Sequence, residues 1–258
     1  MYHNTAPKPI KITNPVVQEL YEKVKELNAP KFETAEHAIY IDIPTKILEL
    51  NKLLKEDPRL QPQYVEKVID EYMKNIMQKR DELSADYIQE PKAKAKISGD
   101  DFFGAIMKSS KEYTDLTELI KAEIPEIARI MDALKIWIQL NVPKIEDGNN
   151  FGVEIIGELL GELSRIEDAA FSLRNDFITY YAARSKIVTK LLKYPFCEDY
   201  LRSLIEIDTK ELLNVRVIFN DIFNNYNVFY DMLLKNIDKI RAPKGNPEEA
   251  QQLLNTMY

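Results

Sequence analysis

Only seven glycines occur in 258 residues, and none of them falls between Glu162 and Pro243. Across that span apolar side chains recur every three or four positions, with one interruption near Pro195. A chain with that spacing and so few places to turn has to run as long helices. The spacing predicts one helix over residues 150–193, with a stripe at Ile156, Leu160, Leu163, Ile166, Ala170, Leu173, Phe177, Tyr181, Val188 and Leu191. A second follows over residues 198–241, through Leu201, Leu204, Leu212, Val215, Ile218, Ile222, Tyr226, Phe229, Leu233, Ile237 and Ile240. Some 44 residues at about 1.5 Å each give a rod of roughly 65 Å.

Upstream, Leu116, Leu119, Ile120, Ile127, Ile130, Leu134, Trp137 and Ile138 mark another helix over about 103–142, which Pro125 should kink. The first helix should open with Asn14 as cap and Pro15 in its first turn, and Val17, Leu20, Val24 and Leu27 repeat at helical spacing. Pro30 is expected to interrupt it, Ala38–Ile43 has no clear state, and Pro44 restarts the helix through Ile47, Leu50 and Leu54. Residues 1–13 read as a tail. Pro58, Pro62 and Pro91 break residues 56–101 into a variable region with an amphipathic piece over Gln63–Leu83. Four long helices with short links predict an all-α, elongated antiparallel four-helix bundle, a single domain over residues 14–241. Apolar residues off the main stripes (Ile155, Leu159, Phe171, Ile178, Phe219, Phe223, Tyr230) imply either lateral subunit contacts or a thicker core.

Charge and composition remove several function classes. With 35 basic against 42 acidic residues the net charge is −7, which disfavours a nucleic-acid surface. Lys92, Lys94 and Lys96 are the one basic cluster and read as a solvated loop. No stretch of about 18 apolar residues could cross a bilayer, and the first residues lack a secretory apolar run, so a soluble protein of the cytoplasm, the nucleus or both is expected. Cys197 stands alone, which fits a reducing compartment and a neutral thiol.

No catalytic, cofactor or metal constellation emerges. The two histidines, His3 and His37, sit in the tail and near the first-helix break, where neither can serve a nucleophile or a Glu-x-x-His pair. One cysteine and two scattered histidines do not make a zinc site. Gly152, Gly157 and Gly161 lack the Lys-Ser or Lys-Thr of a phosphate loop and read as positions of close helix packing.

The polar turn between two long apolar runs is Pro143, Lys144, Ile145, Glu146, Asp147, Gly148, Asn149, Asn150, Phe151 and Gly152. Pro143 cannot continue a helix, and Gly148 and Asn149 tolerate left-handed backbone angles. Taken alone, Glu146 and Asp147 are helix-flanking charges. After Pro243-Lys244-Gly245, Asn246 and Glu249 have capping-box spacing, and the chain closes on Thr256, Met257 and Tyr258, which by composition alone would be disordered.

The string from Trp137 to Gly152, WIQLNVPKIEDGNNFG, resembles the activation loop, and the end of the helix before it, in the 11S (REG) proteasome activators. Asp199-Tyr200, Tyr230-Asp231, Leu233-Leu234-Lys235-Asn236, Pro243-Lys244-Gly245 and the final Met257-Tyr258 extend the resemblance, which covers roughly residues 103–245 well. It implies a subunit of a ring-shaped heptamer, homomeric or shared with a sister subunit, that caps the 20S proteasome and opens its gate without ATP or enzymatic activity of its own. Residues 143–152 would be the activation loop, with Asn149 its critical side chain. Residues 242–258 would be the tail, whose Thr256, Met257, Tyr258 and terminal carboxylate dock in pockets of the α-ring. Some features depart from the family pattern: residues 31–42 look inserted, 56–101 lacks Lys/Glu richness, and the tail is longer than usual. A helical scaffold or adaptor with no proteasome role, and a cryptic hydrolase or metalloprotein, are the alternatives.

Overall fold

A computed structural model of the chain describes residues 15–89, 102–142 and 151–241, and within them every regular element is helical. The order is α1 (Pro15–His37), a π-helical turn (Ala38–Asp42), α2 (Ile43–Glu56), a 3-10 turn (Pro58–Leu60), α3 (Pro62–Gln89), α4 (Phe102–Met107), α5 (Lys111–Asn141), α6 (Phe151–Lys193) and α7 (Glu198–Arg241). The expected bundle is present. α5, α6 and α7 form three of its rods, and the fourth is composite, built from α1, α2 and α3 laid end to end, with α1 packed on α5 and with α2 and α3 lying along α7.

Residue contacts set the register. Arg184 of α6 meets Asp208 of α7, and Arg165 of α6 donates to Asn225 Oδ1 of α7 at 2.9 Å, so the two helices run antiparallel from the 194–197 turn. Along the composite rod, Arg241 reaches Glu36 and Tyr40, Arg216 donates to the Leu60 carbonyl and Tyr72 reaches Asp208. That rod therefore runs opposite to α7. The core inside is aliphatic and aromatic, with Ile120, Ile130, Leu134, Ile138, Leu163, Phe219, Phe229 and Leu233 almost without exposure.

Several sequence expectations need correction. Pro30 does not end the first helix: α1 passes through it, because the carbonyl its ring frees, that of Glu26, lies on a turn open to water. The discontinuity is the π turn at Ala38–Asp42, whose extra residue keeps Ala38, Ile39 and Ile43 all facing the core. The helix expected over 103–142 is broken at 108–110, where Ser110 Oγ accepts from the Tyr113 N–H at 3.3 Å and caps α5. Leu119, placed on the buried stripe, is 40% exposed. The amphipathic piece over Gln63–Leu83 is part of the longer α3. Gly157 and Gly161 are not close-packing positions, since a Cβ at either would meet nothing within 4 Å.

At the end near the 194–197 turn, the core contains charge. Arg184 and Asp208 are 4% and 7% exposed and pair at 2.9 Å. Asp208 also accepts from Tyr72 at 2.5 Å and Tyr180 at 2.9 Å, and Arg184 donates on to the Lys108 carbonyl at 2.8 Å. Burial, and then the Asp208 charge, push both tyrosine hydroxyls well above their usual range. Burial opposes the Arg184 charge, but Asp208 outweighs it and holds the guanidinium protonated more firmly than usual. One network thus ties α3, α6 and α7 to the residue just past α4.

Candidate interaction end of the bundle

The opposite end of the bundle carries the flanks of the polar turn. α5 finishes with the Asn141 side chain donating to the Trp137 carbonyl at 2.9 Å and Val142 turning to extended backbone at φ −62°, ψ 122°. The chain resumes at Phe151, the first residue of α6, with Gly152 buried one position later. Of the turn residues, Pro143, Lys144, Ile145, Glu146, Asp147, Gly148, Asn149 and Asn150 lie outside the described residues, as do Thr256, Met257 and Tyr258 of the tail.

The structure settles where those segments attach. The antiparallel register fixed by Arg184–Asp208 and Arg165–Asn225 carries Phe151 to the last turn of α7, at Ile240 and Arg241. α5 runs toward the same end: Lys135 pairs with Glu167 across to α6, which brings the end of α5 opposite the third turn of α6, near Gly161. Departure from α5, entry into α6 and exit from α7 therefore share one end of the bundle. The exit is anchored by Arg241 Nη2, 3.5 Å from Glu36 Oε1 and 3.3 Å from the Tyr40 hydroxyl. Ion pairs of α5 with the composite rod, Arg129–Asp42 and Lys46–Glu123, hold the adjoining turns. Burial works against the Lys46 charge, but bonds to Glu123 and Glu49 more than offset it and keep the ammonium above its ordinary range.

The off-stripe apolar residues divide between the two readings. Leu159 and Phe219 are buried in the bundle core, whereas Phe171 and Ile178 on α6 are 49% and 66% exposed. A surface hollow of about 420 Å³ lies between α6 and α7, bordered by Ile166, Ala170, Ile218 and Ile222 with Arg165 and Asp221 at its rim. The buried Arg184–Asp208 pair was missed in the sequence. Its signal was a charged residue at a core phase of each helix, between Tyr180 and Leu191 on α6 and between Leu204 and Leu212 on α7. Among the described residues no group of His, Cys, Asp and Glu is arranged to hold a metal ion, and no helix is long and apolar enough to cross a membrane.

The class that the described residues define is an all-α bundle with a connecting segment and a departing chain at one end. Comparison with known proteins says of which kind: residues 106–250 match the family described as proteasome activator PA28, C-terminal. Over 144 residues the chain is 42% identical to human proteasome activator complex subunit 3, covering 56% of this chain and 57% of that protein. The match thus spans little more than half of that relative's length. Proteasome activator 28 of Dictyostelium discoideum is 28% identical over 231 residues, 90% of this chain and 95% of its own. In structure, the chain is similar to the crystal structure of PA28, the 11S subunit of the Plasmodium falciparum proteasome. That likeness has a TM-score of 0.65 and 30% identity, and covers 93% of this chain and 100% of that one. The chain belongs to the PA28, or 11S, family of proteasome activators.

Proposed function

We propose that this protein is a non-catalytic, ATP-independent activator of the 20S proteasome, working as a ring-shaped heptamer. The ring would seat on the α-ring through residues 242–258, with Thr256, Met257 and Tyr258 in its pockets, and open the gate through residues 143–152. In this reading 14–241 is the activator domain, 56–101 its variable region and 1–13 a tail, and the protein works wherever 20S particles are, in cytoplasm, nucleus or both. One observation carries it: the segment between α5 and α6 and the chain leaving α7 share one end of the bundle, so a single seating engages both.

The two contacts divide the work. Each tail binds weakly, and several acting from one ring gain about 10²- to 10⁴-fold through effective concentration. The loop changes the gate only by contacting the open state better than the closed one. Binding and opening are therefore separable. Purified protein should raise 20S hydrolysis of small fluorogenic peptides. Asn149→Tyr should keep 20S binding while abolishing stimulation, and removal of Met257 and Tyr258 should abolish both. Sedimentation with 20S particles beside the peptide assay reads the two, and failure of the unmodified protein to co-sediment would end this reading.

A further inference from the structure

The periodic stripe Val17, Leu20, Val24 and Leu27, which marks α1 in the sequence, is exposed: 46%, 57%, 56% and 70% of each residue is open. Val17, Val24 and Asn28 lie on the same side of α1 as Ala35, which is fully buried. The stripe is thus the outward continuation of a face that farther along packs on the core. It loses its cover because α5 stops at Asn141 and α7 at Arg241. A helical segment of this length with nothing across from it is marginal in water.

We propose that residues 246–258 dock along the α1 stripe, as a short helix antiparallel to α1, when the protein is free. The occupant follows from position. Arg241 is held beside Glu36 and Tyr40, so α7 ends beside the covered end of α1, and its axis points along the uncovered one. About a dozen helical residues span roughly 18 Å, which is the distance along α1 from Glu36 to Val24. In sequence, Ala250, Leu253, Leu254 and Met257 recur at three, four and seven residues, the spacing of one apolar helix face. Docked in that way, Leu253 and Leu254 would fall opposite Val24 and Leu27, and Glu248 and Glu249 would come alongside Lys31.

The docking itself needs no proteasome; only its consequence rests on the function proposed above. A tail held on α1 is withheld from the α-ring, so release precedes seating, and a weakened stripe should tighten 20S binding.

Amide hydrogen exchange of the full chain, with no 20S present, tests this. Exchange over residues 15–27 should be at least tenfold slower in the full chain than in one lacking 246–258. Leu253→Asp with Leu254→Asp should match the truncated chain, and exchange in α5 to α7 should stay unchanged as the control for folding. Equal rates in all three proteins overturn the proposal. So does protection that survives truncation and fades on dilution, which would make a second copy the occupant, or protection lost only on removing residues 1–14.

Discussion

The two ends of this bundle are held by different chemistry. Near Val142 and Arg241 the helices meet through an apolar wall of Ile130, Leu134, Trp137, Ile138, Phe229 and Leu233, with ion pairs confined to its edges. Near the 194–197 turn, Arg184, Asp208, Tyr72 and Tyr180 form a buried network beside a smaller apolar cluster of Ile76, Phe102, Ile106, Leu191 and Leu204. Apolar contact is non-directional and tolerates small slides of one helix along another. A buried ion pair with two hydroxyl donors fits in one alignment and is costly in any other. The distant end fixes the register on which the position of the candidate interaction end depends.

That contrast can be broken most directly at Asp208. Asp208→Ala leaves a buried guanidinium its bond to the Lys108 carbonyl but no counter-charge from Asp208, and strips two tyrosines of their acceptor. The expected loss is about 3–5 kcal/mol in denaturant unfolding. Arg184→Met combined with Asp208→Leu should recover most of it, because no charge is then left unpaired. A single-mutant cost below about 1 kcal/mol would mean the network does not set the register.

A smaller effect is expected between the two ends, where Asp57 joins α2 to α3. Its carboxylate accepts from the Arg59 backbone N–H at 2.9 Å and pairs with the Arg59 guanidinium at 2.6 Å. The side-chain bonds to Arg59 hold the carboxyl below its usual range despite partial burial. Since the folded value is depressed, the stabilisation is fully present above the unfolded value near about 4 and is lost as pH falls through the folded one. Asp57→Asn should cost about 1 kcal/mol at neutral pH and flatten the stability profile below about pH 4. An unchanged acid limb would show that another carboxylate governs it.

The smallest effect belongs to the interacting end and has the opposite sign. Gly157→Ala and Gly161→Ala place a methyl group in open space on an exposed helix face. Each should raise subunit stability by about 0.5–1 kcal/mol, read as a higher melting temperature. If either lowers it, that face is covered in the assembled protein.

Most of the fold was legible because it depends on local rules. The span Glu198–Arg241 was readable to the residue, since Pro195 stops α6 and the apolar spacing on α7 has no gap. What escaped was tertiary or small-scale. The break at 108–110 rests on a single serine cap, and the π turn on the need to face Ala38, Ile39 and Ile43 inward together. The exposed α1 stripe could not be told from a core stripe, because periodicity reveals an apolar face and says nothing of where neighbouring helices end. Arg184 and Asp208 each left a signal as a charge at a core phase, but nothing local links two residues 24 positions apart as partners. Of the candidate site, the break between α5 and α6 was legible from Pro143 and Gly148, and the residue order of the polar turn resembles a family loop. That it shares an end with the tail's departure required the register.

The pinned register makes length a shared property of α6 and α7. Arg184–Asp208 and Arg165–Asn225 fasten the pair at two points. Deleting one residue from either helix between them would rotate everything beyond by roughly 100° and leave the fasteners out of phase. Changes in length can be absorbed only as whole turns taken from both rods, or outside the fastened stretch altogether. Relatives of this protein should therefore differ in size at the ends of their helices and agree, residue for residue, between the two fasteners.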